Sequence, residues 1–151
     1  MASDLPNERD FDPFGGVDEQ CAWRHFGGLN LEEAYEKFAN YPEIYQEDFM
    51  FMGGNAFAFY FPVIDRYLRM TIELPKEKRG DRQSWILPQC IRSQFEGTHR
   101  RDVAPLKQSV LDLCVFMLQH MEYFVGDWDD PAEIEKQWRL LQDHARQCTS
   151  P

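Results

Sequence analysis

The densest group of reactive side chains lies between residues 32 and 48. Glu32, Glu33 and Glu36 fall on one predicted helix, and Glu43, Glu47 and Asp48 on the next. Carboxylates that converge repel one another, which raises a pKa and creates an acid/base pair. Carboxylates that diverge form a solvated face, the usual fate of a charge run on an amphipathic helix. A second charged group, of the opposite sign, comprises Lys76, Lys78, Arg79 and Arg82, followed by Arg100 and Arg101. Phosphate binding is one use for it, but the intervening Glu77 and Asp81 read better as a charged loop.

More specific chemistries fail on spacing. His25, His99, His120 and His144 never form the H-E-x-x-H pattern of hydrolytic zinc sites. A di-iron carboxylate bundle needs two Glu-x-x-His pairs on facing helices. Glu96 and His99 supply that spacing once, across Gly97. No Gly-Gly pair is followed by the Lys-Ser/Thr of a phosphate loop, and no nucleophile elbow is present. Cys21, Cys90, Cys114 and Cys148 lie far apart, outside any C-x-x-C pair. The last three fall at apolar helix positions, as buried thiols do in a reducing cytoplasm. Neither a metal nor a cofactor is expected.

Charge distribution carries the functional expectation. The net charge is −10, and residues 1–50 hold twelve acids against three bases, a net of −9. That asymmetry opposes nucleic acid and favours a basic protein partner. The leading expectation is a non-enzymatic helical binding domain, one form of it being an immunity-type inhibitor of a basic bacterial toxin. Glu32, Glu36, Glu43, Glu47 and Asp48 would make the contacts, with Tyr41 and Tyr45 as aromatic anchors. The rival reading is an enzyme or small-ligand binder whose pocket lies beside Pro62, lined by Tyr60 and Tyr67. A third is a homo-oligomer, with the acidic third of one chain meeting the 76–101 basic region of another.

These side chains need a scaffold, and its centre is Phe49–Met70. From Phe49 to Ile64 the run is uncharged and rich in Phe and Tyr. It is shorter than the about 20 apolar residues of a membrane span and contains Gly53, Gly54 and Pro62, so no membrane segment is expected. The pattern predicts a kinked helix from Asn55, as cap, to about Thr71. Asn55, Ala58, Pro62, Asp65 and Arg69 share its least apolar stripe, where the carbonyl deprived by Pro62 can face water. Asp65 and Arg69 form an i, i+4 ion pair.

Around this helix, residues 1–16 read as an arm or loop with Phe11 and Phe14 as anchors, and 17–151 as a single helical domain. Helices are predicted at Val17–Phe26 and at Leu31–Ala39, where Asn30 and Glu33 form a capping box. Further ones are expected at Glu43–Met52 and within 82–96, where Pro88 either kinks one helix or begins a second. The next runs from Asp102 and Pro105 to about Val125, and the last spans Pro131–Cys148 behind an Asp130 cap. In that last helix Ile134, Trp138, Leu141, Ala145 and Cys148 recur at helical spacing, a stripe for the core. The fold class is all-α: a single-domain bundle of about six helices around a Pro-kinked aromatic central helix.

The segment Phe57–Leu68, FAFYFPVIDRYL, preceded by Asp48-Phe49-Met50, resembles the core of a family of uncharacterised small bacterial α-helical proteins. That domain-of-unknown-function family carries an aromatic-aromatic-Leu-Pro motif; this chain has Phe59-Tyr60-Phe61-Pro62, with Phe61 in the leucine position. The likeness covers about twenty residues. It implies a bacterial cytosolic helical domain with no assigned catalytic residues and transfers no site.

Overall fold

A computed structural model describes residues 5–80 and 82–148; Asp81 of the expected charged loop and the last three residues lie outside this range. Among the described residues there are ten α-helical segments and no strand. Six helices have ten or more residues: α2 (Val17–Phe26), α3 (Leu31–Asn40), α6 (Gly54–Arg69), α7 (Leu87–Glu96), α9 (Lys107–Gln119) and α10 (Pro131–Gln147). The others are single turns: α1 (Glu8–Phe11), α4 (Pro42–Tyr45), α5 (Asp48–Phe51) and α8 (Arg100–Val103). The all-α bundle of about six helices is therefore the observed architecture, with short linking turns added.

Helix α6 lies at its centre. Phe57, Tyr60, Phe61, Ile64, Tyr67 and Leu68 are buried, whereas Asn55 and Pro62 are exposed and Ala58, Asp65 and Arg69 half-buried. Proline's missing N–H thus falls on the wet side of the helix, as its stripe predicts, and Asp65 pairs with Arg69 at 3.0 Å. Rings from the preceding elements close over the buried side. Phe11 and Phe26 pack on Tyr60 with centroids 5.7 and 5.8 Å away, and Phe38 lies edge-on to Tyr67 at 4.9 Å. The Tyr60 hydroxyl donates to the Phe26 and Leu29 carbonyls at 3.0 and 2.7 Å, tying the α2–α3 connection to α6. Burial raises that hydroxyl's pKa to about 12, with Glu33 adding to the shift.

On the other side α10 packs against α7 and α9. Ile134, Trp138, Leu141 and Ala145 are buried, Cys148 half-buried, and the Trp138 indole N–H donates to the Ser84 carbonyl at 2.9 Å. Cys90 and Cys114 are buried, which pushes both thiols up to about 12. Among the described residues no helix is long and apolar enough to cross a membrane.

Several boundaries depart from expectation. Asn55 does not cap α6; Gly53 occupies that position without a side-chain bond. A Cβ on Gly53 would overlap the Asp10 carbonyl oxygen, and one on Gly54 would press on the Cβ atoms of His99 and Asp102 at 2.7 Å. The pair exists so that α1 and α8 can close on the start of α6, and the Gly53 N–H donates to the Phe11 carbonyl at 2.7 Å. Residues 43–52 are two turns rather than one helix. Both are held by α7: where they part, the Gln46 carbonyl accepts from Cys90 Sγ at 3.5 Å, and in and just after α5 the Phe49 and Met52 carbonyls accept from Gln94 Nε2 at 2.9 and 2.7 Å.

Pro88 begins a helix instead of kinking one. The stretch from Asp102 to Val125 is divided by a 3-10 turn at Ala104–Leu106, and α9 ends at Gln119. There His120 leaves helical backbone geometry, and its N–H is shared between the Phe116 and Met117 carbonyls at 3.1 and 3.3 Å. Asp130 caps α10 through the Ala132 N–H at 3.0 Å. The segment read as an arm contains α1, closed by an Asn7–Asp10 capping box, with Phe11 fully buried and Phe14 exposed.

Candidate protein-binding surface

The acidic residues of the first third are assigned to distinct tasks by the local backbone. Asp10 and Glu33 complete capping boxes at α1 and α3, accepting from the N–H of Asn7 and Asn30, both at 2.9 Å. Asp12 accepts from the Gly15 and Gly16 N–H groups and from Gln20 Nε2, and these bonds, Gln20's first, hold its carboxyl below the usual range. Asp18 and Glu19 lie in the first turn of α2, where the helix dipole favours them.

Two of the expected contact residues are neutralised within the chain. Glu32 meets Arg66 of α6 at 2.6 Å, and that bond raises the guanidinium's pKa; the same guanidinium lies 3.8 Å from the Tyr35 ring centre. Asp48 is not a surface residue. It is 8% exposed, and its Oδ2 is hydrogen-bonded to His25 Nδ1 at 2.7 Å. Burial pushes its carboxyl above the ordinary range, and the His25 bond offsets part of that rise. The apolar Phe49 beside it, at the core end of α5, carries Asp48 inward.

Tyr45 is likewise half-buried. Its ring lies edge-on to His25 and Phe26 at 5.0 and 5.8 Å, with the Lys37 ammonium 5.1 Å from its centre. Lys37 also donates to the His25 carbonyl. His25, Lys37, Tyr45 and Asp48 therefore form a bracket that fixes α4 and α5 against α2 and α3.

What that bracket leaves outside is the candidate surface. Glu36, Glu43 and Glu47 are exposed, and among the described residues none has a cation within ion-pair distance. Between them in sequence stand Tyr41 at 60% and Ile44 at 63% exposure. Pro42 starts α4 by fixing its first turn, so Tyr41 and Ile44 are held on short, stiff backbone. Ile44 is a contact candidate that charge reasoning missed; its signal was an apolar residue at a position where α4 has no core to face.

The groove beside Pro62 exists, with a volume of about 480 Å³, but Tyr60 and Tyr67 do not line it. Both are core residues, 0% and 2% exposed. Leu31, Tyr35, Pro62 and Val63 form its apolar wall, and its rim is closed by the Glu32–Arg66 pair. Glu32 and Arg66 pair with each other there, and Asp65, also on its lining, pairs with Arg69. In the basic region Arg82 is half-buried against the Tyr67 ring at 3.7 Å and donates to Thr71 Oγ1 and Tyr67 O, at 2.9 and 2.8 Å. It is a structural cation, and burial lowers its pKa. Among the described residues no cluster of three or more His, Cys, Asp or Glu side chains is arranged to hold a metal ion.

Compared with protein-family models, curated proteins and solved structures, the chain matches none of them.

Proposed function

We propose that this chain is a non-enzymatic acidic helical domain that binds a basic protein through α3, α4 and the turn that follows. The observation that carries this reading is the pairing of exposed apolar side chains, Tyr41 and Ile44, with Glu36, Glu43 and Glu47, which lack ion-pair cations among the described residues. Apolar anchors inside a charged rim are what a specific interface requires: the anchors supply burial, and the rim supplies register and association rate. The net of −9 over residues 1–50 extends the attraction beyond the contact itself. An immunity-type inhibitor of a basic bacterial toxin is one concrete form of this function.

The test is affinity capture from the source organism with two baits, the native chain and the Glu36→Lys/Glu43→Lys/Glu47→Lys variant. The native bait is expected to retain a basic protein that salt elutes, and the variant to lose it. Retention of the same protein by both baits, or elution indifferent to salt, would overturn the reading.

A further inference from the structure

We propose that the turn carrying Trp128 docks into a second copy of this chain. Trp128 is 98% exposed, whereas Trp138 is fully buried. Among the described residues it makes no hydrogen bond, ring contact or cation contact. Its backbone is nevertheless fixed. The Gly126 N–H donates to Asp129 Oδ2 at 2.6 Å, and the Asp129 N–H donates back to the Gly126 carbonyl at 3.2 Å. Buried Phe124 anchors the chain before this turn, and the Asp130 cap of α10 anchors it after. An indole held on rigid backbone gives up little beyond two side-chain torsions on docking, which is how aromatic anchors act at interfaces.

A receptor for it adjoins the same turn. A pocket of about 420 Å³ is walled by Tyr123 and Val125, with Gly80 and Gly126 among its lining. Lys76 and Arg79 contribute cations to it, and Glu77, Glu122 and Asp127 contribute acids. The Arg79 guanidinium lies 4.4 Å from the Tyr123 ring centre, placing a cation and an aromatic face where an indole can meet both. Trp128 stands outside this pocket, so its own indole does not fill it.

Knob and hole on one patch make that patch self-complementary under a two-fold axis. Each Trp128 enters the other copy's pocket while Lys76 of one copy faces Asp127 of the other. Neither Lys76 nor Asp127 has an ion pair within the chain among the described residues. Asp127, Asp129 and Asp130 around the indole disfavour a nucleic acid or an anionic bilayer as the occupant, and because these acids with Glu77 and Glu122 outnumber Lys76 and Arg79, they also weaken the pairing of two copies. Two indoles bring about 300–500 Å² of surface. With their pocket walls the total stays below the roughly 1,200 Å² of a standard interface, so the dimer is weak and concentration-dependent.

The experiment is sedimentation equilibrium of the full chain from about 10 μM to about 1 mM, spanning the affinities such a contact allows. The weight-average mass should climb from 17.9 kDa toward twice that value, and tryptophan emission should shift to the blue over the same range. Trp128→Ala should hold the monomer mass with an unchanged circular-dichroism spectrum and without the blue shift. Lys76→Glu should weaken association about tenfold, and Lys76→Glu/Asp127→Lys should restore it. A native chain that stays monomeric at the top concentration overturns the proposal. So does a Trp128→Ala variant that dimerises as before, or a Trp128-dependent blue shift produced only by an added lysine- and leucine-rich peptide. None of these readings depends on Glu36, Tyr41, Glu43, Ile44 or Glu47, so the α3–α4 surface stands or falls separately.

Discussion

In α7 and α10 carboxylates sit beside basic side chains of their own or a neighbouring helix. Glu96 meets Arg92 and His144 at 3.2 and 3.1 Å, Glu135 meets Arg139 at 3.4 Å, and Asp143 meets Arg146 at 4.0 Å. In α1–α4 the described carboxylates mostly meet backbone N–H groups or have no ion-pair partner. The difference follows from where the charges sit along their helices, since α2 and α3 are as long as α7. A one-turn helix makes few bonds of its own and leaves most of its end groups unsatisfied, so side-chain caps decide whether it forms. A helix of 17 residues, as in α10, keeps its ends a small fraction of its length and places its charges at i, i+4 spacing. Part of the acidic excess of the first third thus serves helix starts: Asp10 and Glu33 close capping boxes, and Asp18 and Glu19 lie in the first turn of α2. What capping and internal pairing do not use, Glu36, Glu43 and Glu47, is the part left to face a partner.

The two regions share a core, and damage to it should have the largest effect. Phe26→Ala and Trp138→Ala should each cost about 3–5 kcal/mol. In urea both variants should still unfold in one transition; separate transitions for the two regions would show that they do not share a core. Tyr60→Phe removes a buried hydroxyl from two carbonyls and should cost about 1–3 kcal/mol, lowering the urea midpoint. Smaller still, Glu43→Lys and Glu47→Lys should leave stability within about 0.5 kcal/mol, because exposed charges without partners contribute little. Those two substitutions should nevertheless abolish partner binding, whereas Glu135→Lys in α10 should leave binding intact.

A pH dependence should distinguish Asp48 from the solvated carboxylates around it. Its folded pKa is raised, so the folded state binds this proton more readily than the unfolded chain does. The stability it contributes is fully present below the unfolded value of about 3.9 and is lost as pH rises through the folded value. Asp48→Asn keeps an acceptor for His25 and removes that titration. Thermal melts across this window should show a shallower loss for the variant than for the native chain.

The elements most legible in the sequence were those whose signals are local. Asn30 with Glu33 at α3, the Pro62 stripe of α6, and the Ile134–Ala145 stripe of α10 each place cause and consequence within one helix. The misplaced features depend on residues far along the chain. In 43–52 the carbonyl at the break between the two turns is met by Cys90 and those of the second turn's end by Gln94, which lie 42 to 45 residues further on. Gly53 and Gly54 serve α1 and α8, which periodicity within α6 does not reveal. In sequence Asp48 is one more member of a charge run, yet His25 on α2 gives it a buried partner. Tyr60 and Tyr67 flank Pro62 in sequence but lie on the helix face turned away from the groove. For the candidate surface, composition indicated its charge and Tyr41, while its apolar companion Ile44 emerged only once α4 was seen to turn outward.

Site-specific photo-crosslinking in extracts of the source organism addresses the α3–α4 surface most directly. A benzophenone side chain would replace Tyr41 in one sample and the exposed Val115 of α9 in another. A single strongly basic protein should be captured from position 41, be lost with Glu43→Lys/Glu47→Lys, and not be captured from position 115. Equal capture from both positions, or capture at position 41 that survives the charge reversal, would contradict a binding surface there.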